Sequence, residues 1–173
     1  MPIIAITGTP GVGKTTIVEL FSDTNFTILS VKDLAKRYGC EGDFDEATQS
    51  IDIDIHRLAE QFEADSQGYT IVDGHLSHLL DVDAIIILRC KPSLLHERLA
   101  KRGYSEQKIT ANVEWEMIAG TWSEIIEFEL DQPILELDTT NCEPDEIFEV
   151  ITQWINDGYS QDSTQPRIDW LAE

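Results

Sequence analysis

Gly8-Thr9-Pro10-Gly11-Val12-Gly13-Lys14-Thr15 stands between the apolar run Ile3 to Ile6 and a segment of helical periodicity, Thr15 to Phe21. The octapeptide satisfies G-x-x-x-x-G-K-S/T without a mismatch, in the strand, loop, helix context that this motif requires. Its glycines let backbone N–H groups turn inward around an anion, and the helix that follows adds its positive end. Lys14 reaches β- and γ-phosphate oxygens, while the Thr15 hydroxyl can join the shell of a magnesium ion. The candidate nucleotide-binding residues are Gly11, Val12, Gly13, Lys14, Thr15 and Thr16, with Arg102 farther along the chain, and the implied ligand is a nucleoside triphosphate such as ATP with Mg2+. An N/T-K-x-D guanine-reading stretch is missing from the sequence, which disfavours a GTP switch.

Outward from this loop, short apolar runs alternate with helical periodicities. Ile3 to Ile6 and Ala84 to Leu88 are continuous and β-branched, as in strands buried on both faces of a parallel sheet; Thr27 to Val31, Thr70 to Val72 and Ile134 to Leu137 are further strands. Helices are expected over Thr15 to Phe21, Lys32 to Gly39, Asp54 to Ala64, Pro92 to Lys101, Ile109 to Glu129 and Pro144 to Ile155. Pro92 and Pro144 suit a first helical position, and Gly158 a helix stop. The alternation predicts an α/β fold of the P-loop NTPase type, a five-stranded parallel sheet flanked by helices. One domain over 1–157 is expected, with an acidic loop after the second strand. The tail from Tyr159 to Gln165 reads as polar and irregular, and its end, Arg167-Ile168-Asp169-Trp170-Leu171, either frays or folds back.

The third strand runs into Val72-Asp73-Gly74-His75, at the carboxyl edge where open sheets place ligands. Asp73 suits a magnesium-bound water or the Thr15 hydroxyl. His75 suits an attacking water or a phosphate oxygen. An Asp before Gly at a strand end is also an ordinary turn; the phosphate loop beside it supplies the chemical reading. Farther on, Arg98 and Arg102 lie one helical turn apart, beside Gly103, and suit a clamp on a transferring phosphoryl group. The connector there is short, a minimal lid at about residues 100–110. An acceptor segment at about 30–53 offers Lys36 and Arg37, with Arg57 beyond it, as cations for an acceptor phosphate; any of the three could equally be a surface charge.

Thirty-three acidic residues against 12 Lys plus Arg give a formal charge of −21 and a pI near 4.3. That balance disfavours broad non-specific binding to nucleic-acid phosphates. It fits a basic partner or a saline cytoplasm. Cys40, Cys90 and Cys142 are odd in number and far apart, which suggests neither a disulfide framework nor a CxxC metal clamp and fits a reducing cytosol. The opening residues lack the pattern of a signal peptide, and Ala84 to Leu88 is too short to cross a bilayer, so a cytoplasmic protein without membrane contact is expected.

The ordered set G-T-P-G-V-G-K-T-T at Gly8 to Thr16, D-E at Asp45-Glu46 before Asp54-x-x-Arg57, V-D-x-H at Val72 to His75, and R-L-x-x-R-G-Y with K-I-x-x-N-x-x-x-E from Arg98 to Glu116 resembles the adenylate kinase isoenzyme 6 family. The resemblance runs from Pro2 to about Ile155, and the Ile168-Asp169-Trp170 ending is similar to its archaeal branch. Ala111 departs from the usual Glu of that pattern, while Asn112 and Glu116 are in place. The resemblance implies broad nucleoside monophosphate kinase activity with a slow ATPase, carried by Lys14, Asp73, His75, Arg98 and Arg102. It also implies service in small ribosomal subunit (pre-16S rRNA) maturation, through the eleventh small-subunit ribosomal protein. Two alternatives stand beside it: a nucleotide-switched assembly factor whose kinase activity is secondary, and a P-loop kinase for another small metabolite.

Overall fold

A computed structural model describes residues 2–64, 67–160 and 164–172. Five strands form one parallel sheet: β1 (Ile3–Thr7), β2 (Thr27–Ser30), β5 (Thr70–Asp73), β6 (Ala84–Arg89) and β7 (Ile134–Asp138), in the order β2-β5-β1-β6-β7. In register, Ile4 lies beside Ile71 and Ala84, and Ile6 beside Asp73 and Ile86. Alternate residues feed two cores. Ile4, Ile6, Ile71, Ile86 and Leu88 face one way, and Ala5, Val72, Ile85 and Ile87 the other. Burial on both faces is why these runs are continuous rather than alternating in sequence.

Each parallel connection needs a crossover, and the helices supply them. α1 (Lys14–Leu20) and α7 (Pro144–Asn156) cover one face, where Ile17, Val18, Ile147, Ile151 and Trp154 are buried. α2 (Val31–Arg37) and α3 (Ile55–Gln61) cover the other through Leu34 and Leu58. α4 (Pro92–Lys101) and α5 (Glu106–Met117) follow β6, with Pro92 and Pro144 at first-turn positions as expected. No helix among the described residues is long and apolar enough to cross a membrane.

Three expectations are corrected. The acidic loop after the second strand is a β-hairpin, β3 (Glu41–Asp45) and β4 (Ser50–Ile53), in which Phe44 pairs with Ile51. The helix expected over Ile109 to Glu129 is two: α5, and α6 (Gly120–Glu127). Ala119 adopts left-handed φ 52°, and a Cβ on Gly120 would stand 2.1 Å from the Trp115 indole. Packing of that ring on a bare α-carbon turns the chain where periodicity alone would continue the helix. The segment expected as a helix over Asp54 to Ala64 closes at Gln61, with Asp54 capping it through Arg57 N at 3.1 Å.

Of the two readings of the C-terminus, the structure takes the return. Trp170 is buried, and its indole N–H donates to Glu116 Oε1 at 3.1 Å. The stretch read as irregular, 159–165, includes residues 161–163, which lie outside the described residues.

Candidate active site

The loop Gly8 to Gly13 leaves the carboxyl end of β1 and turns into α1. Gly8 has φ +135°, and a Cβ there would meet the Leu88 carbonyl oxygen at 2.4 Å; Gly11 has φ +94°, with Leu95 and Leu99 side chains 2.9 Å from where a Cβ would be. These two positions admit glycine alone, because the loop is pressed onto β6 and α4. Three braces hold it. Thr139 Oγ1 donates to Val12 O at 2.6 Å, Arg98 donates to Gly11 O and Val12 O at 3.4 and 3.3 Å, and Thr9 Oγ1 donates to Glu116 Oε2 at 2.6 Å.

Lys14 spans the mouth of this cradle, its ammonium on Gly8 O (2.6 Å) and Thr9 O (3.1 Å). Burial pushes its pKa down to about 8, the Asp73 carboxylate opposes the shift and the Arg102 guanidinium adds to it. Asp73 closes β5 with Oδ1 buried and without a hydrogen-bond partner. Desolvation raises its pKa, against the pull of Lys14. A dry, unpartnered carboxylate oxygen beside a lysine is chemically suited to a hydrated cation, and the Thr15 hydroxyl is exposed at the start of α1. No cluster of three or more His, Cys, Asp or Glu suited to a metal occurs among the described residues. That is expected where phosphate and water oxygens supply most of the ligands.

His75 follows on the same turn. Desolvation of its ring, followed by the Lys14 charge, holds its pKa down to about 4. The imidazole is therefore neutral at pH 7 and can accept a proton. The turn is fixed from beneath by His78, which is fully buried between Thr7 Oγ1 (2.8 Å) and Glu124 Oε2 (3.0 Å).

Beside the loop opens a cleft of about 620 Å³ lined by Gly13, Thr16, Arg98, Arg102 and the segment Thr139 to Pro144. The Gly11, Val12, Gly13, Thr16, Arg98 and Arg102 of the sequence reading thus share one cavity, whereas Lys14, Asp73 and His75 do not line it and lie at the loop and the β5 turn. The cations expected to meet an acceptor phosphate are more scattered. Lys36 and Arg37 lie exposed on α2, and Arg57 Nη1 donates to Gly39 O at 3.5 Å; among the described residues, no hydrogen bond joins the three to the phosphate loop. The hairpin between α2 and α3 is met by α5 instead, where Lys108 Nζ donates to Gln49 O at 3.3 Å.

Several site residues went unread in the sequence. The cleft wall Thr139 to Glu143 follows β7, a strand end of the same kind that singled out Asp73, and that rule could have found it. Arg89 and Glu136, both unread, form a buried ion cluster behind the loop with Glu116, which the sequence reading named only as part of the family pattern, with Arg89 Nε on Glu116 Oε1 and Nη1 on Glu136 Oε1, both at 2.7 Å. A charge ending an all-apolar strand in a chain so poor in cations was the available signal. His78, four residues before the apolar run's approach at Val82, carried none.

Comparison with known proteins agrees with this architecture. An AAA domain family model matches residues 4–119. The chain is 39% identical over 173 residues to "Putative adenylate kinase" of Archaeoglobus fulgidus, covering 99% of this chain and 93% of the relative. It is 40% identical over 158 residues to the protein so named in Pyrococcus abyssi, covering 90% and 85%. Among solved structures, deoxyadenosine kinase from M. mycoides with bound dATP superposes with a TM-score of 0.56 at 19% identity, covering 90% of this chain and 100% of that one. At that identity the likeness speaks for the P-loop kinase fold.

Proposed function

The chain belongs to the family of archaeal proteins named "Putative adenylate kinase", and on that premise we propose that it moves the γ-phosphoryl group of ATP to AMP or another nucleoside monophosphate. The observation that carries this reading is the insertion between β2 and β5. A bare ATP hydrolase has no use for two helices and a hairpin reaching to the lid, whereas a second substrate needs such a wall.

In this reading ATP lays its phosphates along Gly8 to Gly13 and its base in the cleft against Thr139 to Glu143. Mg2+, held by the Thr15 hydroxyl and through water by Asp73, would neutralise charge on the phosphate oxygens. Lys14, Arg98 and Arg102 stabilise the loose transition state, in which the bond to the β-phosphate oxygen breaks as one to the acceptor phosphate oxygen forms. Arg98 can do so by leaving its long contacts to Gly11 O and Val12 O. Lys36, Arg37 and Arg57 are the cations available to hold the acceptor phosphate, once the segment carrying them closes.

His75 serves water rather than the monophosphate, since water arrives without a clamp of its own. His75→Ala is expected to weaken ATP hydrolysis more than transfer to AMP, while Asp73→Asn injures both. Equal losses in the two activities from His75→Ala, or a collapse of ATP binding, would assign that residue to bracing the turn. An acceptor screen with several monophosphates and with small alcohols, coenzyme A precursors included, tests the substrate class; preference for an alcohol sinks the monophosphate reading.

A second role, in small-subunit rRNA maturation in the cytoplasm with the eleventh small-subunit ribosomal protein as partner, has one favouring observation. The hairpin exposes Phe44 and Ile51 among Glu41, Asp43, Asp45, Glu46 and Asp52, a face that suits a basic protein. Competition between that protein and AMP is the expected result. Normal processing of precursor small-subunit RNA after depletion of the chain removes this role.

A further inference from the structure

Glu116 is almost fully buried, and its two oxygens divide their partners. Oε2 takes the Thr9 hydroxyl of the phosphate loop; Oε1 takes Arg89 Nε (2.7 Å), Cys90 N (3.1 Å) and the Trp170 indole N–H (3.1 Å). Glu136, also buried, takes Arg89 Nη1 and Trp122 Nε1 on one oxygen and Arg167 N (2.7 Å) on the other. Two carboxylates thus face one guanidinium. The excess negative charge in this dry region is balanced by neutral donors, two of which, Arg167 N and Trp170 Nε1, belong to the C-terminal tail. The tail also accepts, at Ile168 O from Arg89 at 3.2 Å, and the Trp170 ring lies 5.9 Å from the Arg89 guanidinium carbon.

One carboxylate is therefore shared by the tail and the phosphate loop. On the far side Thr9 O receives Lys14 Nζ, which makes a continuous run Trp170, Glu116, Thr9, Lys14. The geometry points to Trp170 as a positioning residue: by fixing Glu116 it holds Thr9, and with it the loop and Lys14, in the shape that receives phosphate. Docking of the tail then sets how well the site binds and turns over nucleotide. This rests on the phosphotransferase reading for its consequence in catalysis, and on the hydrogen bonds alone for its effect on the loop.

The test uses the full chain as wild type, Thr9→Val, Trp170→Phe and the double variant, with Trp170→Ala as a stronger undocking and Val82→Ala, in the opposite core, as a control of comparable stability loss. Phe keeps most of the packing and removes only the donor. Amide hydrogen exchange of residues 8–14 and the dissociation constant of ATP are measured, with kcat and KM alongside. Thr9→Val and each Trp170 substitution should speed exchange of the loop about 10-fold and weaken ATP several-fold, as expected for one charge-assisted bond, while Val82→Ala should leave loop exchange near wild type. The double variant should be no worse than Thr9→Val, because both act through one carboxylate. Additive losses overturn the proposal. So does unchanged loop exchange in both Trp170 variants, or an equal effect from Val82→Ala. If the wild type transfers no phosphoryl group to any acceptor, the functional reading falls while the exchange result still decides this one.

Discussion

Arg89→Met is the most informative perturbation of this fold. The guanidinium is 2% exposed and uses Nε, Nη1 and Nη2, on Glu116 Oε1, Glu136 Oε1 and the Glu116 carbonyl, respectively. Met keeps the apolar stem, though not the full volume, and leaves two carboxylates facing each other without a cation. Breaking a buried pair by removing one partner costs about 3–5 kcal/mol, and here one residue serves two such pairs. Against a total stability of about 5–15 kcal/mol, this is a large part of the whole. For a chain of this length about 1 kcal/mol moves Tm by roughly 2–4 °C, so the variant should melt about 6–20 °C lower. Arg89→Lys keeps the charge without the fork and should fall between the two. Adding Glu116→Gln and Glu136→Gln to Arg89→Met should recover at least half of the loss, since the cost is uncompensated charge rather than lost packing. Urea and thermal unfolding at pH 7, followed by circular dichroism and tryptophan fluorescence, give the numbers. A loss below about 1 kcal/mol for Arg89→Met would refute the picture of a dry ion cluster, because only water reaching both carboxylates could make it that small.

Lys14→Ala should lower kcat by orders of magnitude while far-UV circular dichroism and Tm stay near wild type; near-normal turnover removes Lys14 from catalysis. The pH profile should carry the same residue's signature. A lysine ordinarily holds its proton to about 10.4. Here burial lowers that to about 8, and the charged form is the one that meets phosphate. kcat/KM for ATP, which reports the free enzyme, should thus fall as pH rises through about 8. Lys14→Arg, at whatever level it works, should lack that limb, and its persistence would assign the titration elsewhere.

The sheet was legible because its strands are buried on both faces, which forces unbroken runs such as Ala84 to Leu88 that no exposed element would carry. The hairpin was not. Its strands hold three apolar residues, Phe44 and Ile51, both exposed, and the half-buried Ile53, too few for continuity or alternation to mark both strands. The break at Ala119 was hidden for a different reason: its cause is the Trp115 ring lying on Gly120, a contact that periodicity does not encode. In the site, Lys14 and Asp73 could be read because their positions follow from local rules about loops and strand ends. Glu116 and Trp170 were visible only as parts of the family pattern, and their meeting with Glu136 on Arg89 could not be read, since it spans 27, 47 and 81 residues of chain and only the folded topology brings them together.

The charge of the chain and the charge of its ligand pull in opposite directions, and distance decides between them. A protein of net charge −21 should repel a nucleoside triphosphate. Exposed carboxylates, however, are screened beyond a Debye length of about 8 Å at physiological ionic strength, whereas groups inside a cleft act over hydrogen-bond distances in partly desolvated surroundings. Of the 12 Lys and Arg, Arg98, Lys101 and Arg102 line the cleft and Lys14 spans the phosphate loop beside it, so a third of the positive charge lies in or next to the place proposed for phosphates. The acidic remainder is then free to serve other ends, since in the proposed reading binding would depend on those four side chains and on the backbone of the loop. The same concentration makes the cleft sensitive to its own bracing. With Arg98 bonded to loop carbonyls and Lys14 to two more, the cations that would receive phosphate also fix the loop's shape, and every contact that holds the loop from behind, Thr139 and Glu116 included, bears on where those charges point.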